Sequence, residues 1–271
     1  MINNKNNILP FFKISFAYTI FYLLLIVIFP ISNLFFHSSN LGLEQFISTV
    51  TNSRVLHAYK LTFSMAFIAS IINIICGLFI SWTLVRYKFF GKAIVDIFID
   101  LPIALPTAIA GLSLASLYSS DSWFGKILNS LGVEVAFTKL GIIIALIFVG
   151  LPLTIRTIEP VIREMDVDVE AAASSLGASN WQIFWKIYFP NFIPAILSAF
   201  SLSFARGLSE YGAIIFISSN IPKESEIISL LIYSKIEQFD YNQATAIAVV
   251  MMLCAFLILW LINIFSKKIS W

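Results

Sequence analysis

The stretch Asp168–Pro190 reads DVEAAASSLGASNWQIFWKIYFP and differs from the strongly apolar sequence on either side of it. Its acidic start suits the first turn of a helix, where negative charge meets the positive end of the helix dipole. Gly177 falls where a left-handed C-terminal turn needs a residue without a Cβ. Ser179 and Gln182, three residues apart, form a capping box that starts a second helix. The stretch therefore predicts two short helices joined by a glycine turn.

The second predicted helix is rich in large apolar side chains. They are Trp181, Phe184, Trp185, Ile187 and Tyr188. An aromatic surface of this size is too large to lie uncovered in water, so it indicates a docking site for another protein. The alternative is a pair of helices that lies on a lipid surface without a protein partner.

The spacing of this stretch resembles the EAA loop of ABC-transporter permeases, in which Glu-Ala-Ala is followed at fixed distances by Gly, Ile and Pro. The residues in register are Ala172, Ala173, Gly177, Ile187 and Pro190. Ala171 occupies the family's glutamate position, and Glu170 lies one residue earlier. The resemblance implies a cytoplasmic coupling loop, residues 159–190, in which these seven residues contact an ATPase.

The composition indicates an integral membrane protein. Of the 271 residues, 59% are hydrophobic and 12% are charged, and the mean hydropathy is +0.91. Soluble globular domains have about 45 to 50% apolar and about 25% charged residues. The chain has room for about six helices of ~20 residues across a bilayer. Its net charge of +2 is spread along the sequence, so no binding to nucleic acid is expected.

Thiol and imidazole groups are too few for a catalytic or metal site. Cys76 and Cys254 lie inside predicted spans, which supports neither a disulfide framework nor a Cys/His metal site. His37 and His57 are lone loop histidines, which are more often solvated side chains than ligands. We therefore expect no metal ion and no catalytic residue in this chain.

Apolar runs predict an all-α protein with six transmembrane helices. The expected spans are 14–31, 61–85, 93–118, 140–158, 191–217 and 244–265, with polar loops at 32–57 and 218–242 and a loop helix at 122–131. Pro30 is expected to end the first span, and no small-residue cleavage site follows, which argues against a secretory signal. Pro102 and Pro106 predict a break in the third span. Residues 1–53 form an N-terminal segment with the first span and an external loop, and residues 54–271 form the core domain with five spans.

The distribution of basic residues predicts the orientation. Ten Lys and Arg residues lie on the side of the termini and the coupling loop, against six on the other side. The side with more basic residues is expected to be cytoplasmic. This places Asp168–Pro190 in the cytoplasm, where an ATPase would be found.

A second and longer resemblance covers roughly residues 54–265. It rests on the segments 82–92, 99–107, 110–111, 117–118, 150–152, 156–157, 204–206, 210–212, 225–226 and 244–248, and on Asp96. These segments are similar to the T-type permease subunits of sulfate/thiosulfate ABC importers. The resemblance implies the type I importer fold, a second homologous permease subunit, two copies of an ATPase and an external sulfate-binding protein. Molybdate/tungstate ABC permeases are close relatives and remain the alternative substrate class.

The chain carries no ATP site in its sequence. A Walker A loop has a glycine five residues before its Gly-Lys pair, because the loop backbone cradles the phosphates. The two Gly-Lys pairs of this chain have Arg86 and Ser120 at that position. We therefore expect no cofactor on this chain, and ATP–Mg on a separate ATPase polypeptide. The chain itself is not predicted to be an enzyme.

Two ionisable residues of the fifth predicted span suggest a transport pathway. Arg206 and Glu210 are four residues apart and can pair on one helix face. Charges inside a membrane usually face a cavity or the interior of a helix bundle. A structural ion pair that fixes helix packing is the alternative. The predicted pathway residues are Arg206, Glu210, Ser203, Pro102, Pro106 and Thr107.

Asp96 and Asp100 are two further carboxylates, at the start of the third predicted span. They lie near the basic cluster after span two, so a solvated or paired role is expected for them rather than a proton relay.

Two other functional classes are possible alternatives. A proton-coupled secondary anion transporter would use intramembrane acids without an ATPase, and the predicted docking segment Asp168–Pro190 argues against it. A membrane-embedded enzyme would need a catalytic cluster that the sequence does not show. The Phe-, Ile-, Asn- and Lys-rich composition is typical of an AT-rich genome. The resemblance to sulfate permeases implies a bacterial inner membrane or a plastid inner membrane.

Overall fold

A computed structural model describes residues 12–269, and every regular element in that range is helical. The helices are α1 (Phe12–Leu23), α2 (Phe29–Ser39), α3 (Leu43–Val50), α4 (Ser53–Arg86), α5 (Lys92–Ala104), α6 (Thr107–Tyr118), α7 (Trp123–Ser130), α8 (Lys139–Glu164), α9 (Val167–Ser175), α10 (Asn180–Ile183), α11 (Phe189–Leu208), α12 (Ile214–Ile217), α13 (Ile228–Glu237) and α14 (Tyr241–Ile269). π-Helical stretches join α1 to α2 and α10 to α11, at Leu24–Ile28 and Phe184–Tyr188.

The chain forms two compact units. One comprises the described residues before Ser53 together with Ile232–Val250, and the other comprises Ser53–Leu231 together with the described residues from Met251 onward. All the residues predicted for coupling and for the pathway lie in the second unit, which we call the core unit.

The prediction of an all-α membrane protein with about six spans is confirmed. Five continuous helical segments of the described chain are long and apolar enough to cross a bilayer: Phe12–Ser39, Ser53–Arg86, Lys139–Glu164, Asn180–Leu208 and Tyr241–Ser266. The pair α5 and α6 is bent by 111° at the break between them, and it gives a sixth span when the two helices are counted together as one. The predicted loop helix is also present as α7, with the Ser122 hydroxyl accepting a hydrogen bond from the Gly125 N–H at its start.

The core unit is built around α4, α8 and α11, which pack against one another. Small residues such as Ala66 and Ala145 are fully buried where these helices meet, and Ile142 and Phe204 fill the space beside them. Small side chains let helix backbones approach closely, which is the usual basis of helix packing in membranes. Ser81 of α4 adds a hydrogen bond to the carbonyl of Ile155 in α8, with 3.3 Å between the oxygens.

Pro30 and Pro190 do not limit the first and fifth spans as predicted. Span one continues past Pro30 to Ser39, and span five begins at Asn180 instead of Asn191. In both places a π-helical stretch ends directly before a Phe-Pro pair, and the phenylalanine N–H bonds to the carbonyl five residues back. Proline removes a donor and crowds the carbonyl four residues earlier, so a wider turn before it lets the helix continue.

The predicted end of span five is wrong as well. α11 ends at Leu208, and the segment up to residue 217 consists of a turn and the separate short helix α12. The turn is stabilised by Glu210, whose carboxylate accepts a hydrogen bond from the Ala213 N–H at 2.9 Å. The segments predicted as polar loops, 32–57 and 218–242, contain the end of α2, all of α3 and α13, and the starts of α4 and α14.

Candidate functional site

The docking segment folds as its sequence predicts. The Asp166 carboxylate caps α9 by accepting the Asp168 N–H at 2.9 Å. Gly177 has a φ of +83°, in the left-handed region, and forms the turn between α9 and α10. Ser179 and Gln182 make both hydrogen bonds of the capping box. The helix, turn and helix are therefore local products of their own sequence.

Large apolar side chains are exposed along α9, α10 and the π-helical stretch that follows. They are Val169, Leu176, Trp181 and Trp185, which together we call the docking face. Trp181 is 70% exposed, while Ile183 on the same helix is buried in a hydrophobic cluster with Ile158 of α8 and Phe192 of α11. An exposed apolar surface of this kind in a segment outside the predicted spans is consistent with an interaction surface.

The residues at the EAA-loop positions differ in exposure. Ala171, Ala172, Gly177 and Pro190 are exposed, whereas Ala173 and Ile187 are half-buried and pack against the hydrophobic cluster that contains Ile183. Glu170 is also half-buried, and it turns inward: its carboxylate accepts a hydrogen bond from the Tyr188 hydroxyl and lies 3.5 Å from the Arg86 guanidinium. The glutamate is therefore engaged inside this chain.

The break in the third span is present where Pro106 stands. α5 ends at Ala104, Leu105 is extended, and Pro106 precedes the first residue of α6, Thr107. Pro102 does not break the helix and lies inside α5. The predicted position of the break is therefore correct, but only Pro106 lies at it, and Pro102 does not contribute to it.

Arg206 and Glu210 form the predicted ion pair, with 2.8 Å between Nη1 and Oε2. Glu210 is 1% exposed, and its other oxygen accepts the Ala213 N–H, whereas the Arg206 side chain is 33% exposed. Because α11 ends at Leu208, Arg206 lies in the last helical turn, where a cation also meets the negative end of the helix dipole. The pair is thus at the end of a span instead of along its middle.

The fold brings this pair close to the break in the third span. A Cβ added at Gly212 would lie 2.3 Å from Thr107 Oγ1 and 3.2 Å from the Ala108 N, so the turn after α11 packs directly on the first turn of α6. Five of the six predicted pathway residues therefore lie on α5, on α6 and its start, and on the end of α11 with the turn that follows it. This turn contacts α6.

The sixth predicted pathway residue, Ser203, faces the packed interior. It is buried and accepts a hydrogen bond from the Asn73 side-chain amide of α4 at 2.9 Å. Its hydroxyl joins two helices of the core unit in this conformation, and it does not line an open surface.

Sequence reasoning missed the partner of Asp96 and Asp100. Arg156 of α8 binds Asp100 through two nitrogens, at 2.9 and 2.6 Å, and lies 2.9 Å from Asp96. Its remaining nitrogen pairs with Glu159 at 2.8 Å. Two carboxylates one helical turn apart near a membrane need a cation, and that requirement could have pointed to an arginine on a neighbouring span. Of the two roles expected for these aspartates, solvated or paired, the structure shows the paired one.

Comparison with known proteins gives a consistent result. Residues 73–271 match the family model described as "Binding-protein-dependent transport system inner membrane component". A probable sulfate transport system permease protein of Zygnema circumcarinatum is 42% identical over 96% of this chain and 91% of its own length. The sulfate transport system permease protein of Escherichia coli (strain K12) is 40% identical over 98% of this chain and 96% of its own length.

Solved structures show the same fold at lower identity. A chain of a bacterial alginate ABC transporter, in complex with a periplasmic protein that holds an alginate pentasaccharide, has a TM-score of 0.79 and 19% identity, over 96% of this chain and 94% of its own. A chain of an inward-facing methionine ABC transporter has a TM-score of 0.59 and 14% identity, over 79% of this chain and 95% of its own.

Proposed function

The chain belongs to the family of inner membrane components of binding-protein-dependent transport systems, and on that premise we propose that it is a permease subunit of an ATP-driven importer of sulfate or thiosulfate. The observation that carries the substrate class is the identity of 40 to 42% over nearly the whole chain to permeases described as sulfate transport proteins. Relatives of this description occur both in bacteria and in algae.

We assign the role of ATPase contact to the docking face and the exposed motif residues beside it. The face presents Trp181 and Trp185, and aromatic anchors of this kind supply much of the binding energy at protein interfaces. ATP–Mg would be held by two copies of the partner ATPase and not by this chain. A second homologous permease subunit and an external sulfate-binding protein complete the proposed assembly.

The proposed anion route passes the break between α5 and α6. Arg206 is half-buried, lies in the last turn of α11 and pairs with Glu210, whose other oxygen accepts the Ala213 N–H. The irregular backbone at Leu105–Thr107 fits a route, because non-helical segments at membrane depth occur where they line a cavity or are covered by protein. Pairing with Arg156 offsets part of the negative charge of Asp96 and Asp100, which would otherwise repel an anion more strongly.

Uptake by the reconstituted complex tests the substrate class. Proteoliposomes that contain both permeases and the ATPase, supplied with the binding protein outside and ATP on the ATPase side, should accumulate radiolabelled sulfate. Unlabelled thiosulfate should compete with sulfate, and molybdate at the same concentration should not. Uptake of labelled molybdate or tungstate, with no sulfate uptake, would assign the chain to the molybdate class instead.

A further inference from the structure

The end of α4 and the first coupling helix α9 meet at a group of three polar side chains. Arg86, the last residue of α4, donates a hydrogen bond to the Tyr188 hydroxyl at 2.8 Å. The Tyr188 hydroxyl in turn donates to Glu170 of α9, and the Arg86 guanidinium lies 3.5 Å from that carboxylate. Each member of the group thus contacts the other two, and each comes from a different element.

The surroundings hold the arginine in place. The guanidinium carbon lies 5.2 Å from the ring centres of both Trp82 and Tyr188, and the side chain is 16% exposed. The Tyr188 ring stacks on Phe192 at 6.2 Å with 8° between the planes. A largely buried guanidinium between aromatic rings needs a counter-ion, and Glu170 is its carboxylate partner in the described structure.

Helix α9 has few other contacts with the rest of the core unit. None of its described side chains is fully buried, and Glu170 and Ala173 are its half-buried ones, on one helix face. Ala173 is small and contributes little apolar contact. The carboxylate of Glu170 is therefore the main polar link between α9 and the spans.

The register of this helix explains why the glutamate faces inward. Successive residues of an α-helix are about 100° apart around its axis, because a turn holds 3.6 residues. Ala171, at the position where the motif has its glutamate, is exposed, and Glu170 is turned by that angle toward Arg86. A carboxylate at position 171 would start about 100° around the helix from the direction in which Glu170 makes its contacts.

We propose that Glu170, Tyr188 and Arg86 form a latch that fixes α9 to the cytoplasmic end of α4, so that movement of the docked ATPase is passed through α9 to α4. Glu170 is then a positioning residue that acts inside the permease, in contrast to a residue that binds the ATPase directly. The proposal rests on the assignment of α9 and α10 as the ATPase contact. The latch itself is a property of this chain and can be measured without the ATPase.

The first measurement is hydrogen exchange in the membrane-embedded chain. Tyr188→Phe removes only the hydroxyl and keeps the ring, and it should increase exchange of the α9 amides at least about fivefold, the lower end of ordinary coupling between sites. Glu170→Ala should do the same, and the double variant should exchange no faster than the faster single variant. Tyr87→Phe and Glu164→Ala, which alter exposed residues nearby, are the matched controls and should leave α9 unchanged.

The second measurement is anion imported per ATP hydrolysed in the full complex. The latch predicts that this ratio falls at least about fivefold for Tyr188→Phe and for Glu170→Ala, with normal recovery of the ATPase and no further fall in the double variant.

Unchanged α9 exchange, an unchanged import ratio, or effects that multiply in the double variant would overturn the proposal. Loss of the ATPase from Glu170→Ala alone would overturn it too, because it would place Glu170 at the ATPase interface. If the unaltered chain failed to bind the ATPase, the proposed function would fall, and hydrogen exchange would still decide the latch.

Discussion

Gly177 determines the angle between the two docking helices through its backbone conformation. No atom lies within 4 Å of a Cβ built at this position, so the requirement for glycine comes from its φ of +83° and not from lack of space. Gly177→Val should leave the protein in the membrane but reduce ATPase recovery and transport at least about tenfold, because a β-branched residue strongly disfavours positive φ. Co-purification of the ATPase measures this. Gly177→Asn, a residue that tolerates the left-handed region, is the control and should retain most binding.

Arg206 is partly exposed and its partner Glu210 is buried, so single and double replacements of the pair should affect assembly differently. Removing one partner of a buried pair typically costs about 3 to 5 kcal/mol, whereas replacing both with apolar residues is often nearly neutral. Arg206→Leu should therefore weaken assembly, and Arg206→Leu combined with Glu210→Leu should recover part of it. Loss of the Glu210 bond to the Ala213 N–H should keep that recovery incomplete.

Uptake in the same membranes then decides the role of the pair. If Arg206 attracts the anion, the assembled double variant should not transport sulfate, because it has lost the counter-ion. Sulfate transport by an assembled double variant would show that the pair only holds the structure together. The comparison needs the unaltered chain and both variants at equal membrane levels.

At the scale of the elements, the contact between α6 and the turn after α11 has little free space. Gly212→Ala should lower the melting temperature of the purified chain by several degrees, because its Cβ would lie 2.3 Å from Thr107 Oγ1. Adding Thr107→Ala removes that oxygen and should restore part of the loss. A scan of thermal unfolding in detergent measures both. No destabilisation by Gly212→Ala would contradict the close packing of these two elements.

What could be predicted of these elements depended on how local their causes are. The Gly177 turn and the Ser179–Gln182 capping box are made by neighbours in sequence, and both were correctly predicted. The spacing of Arg206 and Glu210 also predicted their pairing correctly. The boundaries of span five were wrong, because proline usually ends a helix and the π-helical stretch before Pro190 was not recognisable from composition.

Long-range polar contacts could not be predicted from the sequence, for a different reason. Arg86 and Glu170 are far apart along the chain, and each had a sufficient local explanation, as a positive residue flanking a span and as an acidic residue early in a helix. Only the packing of α4 beside the start of α11 brings Tyr188 between them. The same holds for Arg156 and Asp100, which are joined across two helices.

At the scale of the whole molecule, the orientation in the membrane follows from the basic residues and can be measured with cysteine labels. In a variant without Cys76 and Cys254, a cysteine at the exposed Ser179 should react with an impermeant reagent only from the cytoplasmic side. A cysteine at the exposed Glu224 should react only from the outside. The reverse pattern would overturn the orientation and remove the docking face from the side where ATP is available.

The energy source of transport tests the central claim most directly. The chain is proposed to be the membrane part of an importer that a separate ATPase drives through α9 and α10. Sulfate accumulation by proteoliposomes with the full complex should therefore require ATP on the ATPase side and should persist when a protonophore removes the proton gradient. Accumulation that needs no ATP and is abolished by the protonophore would contradict the account and identify a proton-coupled transporter.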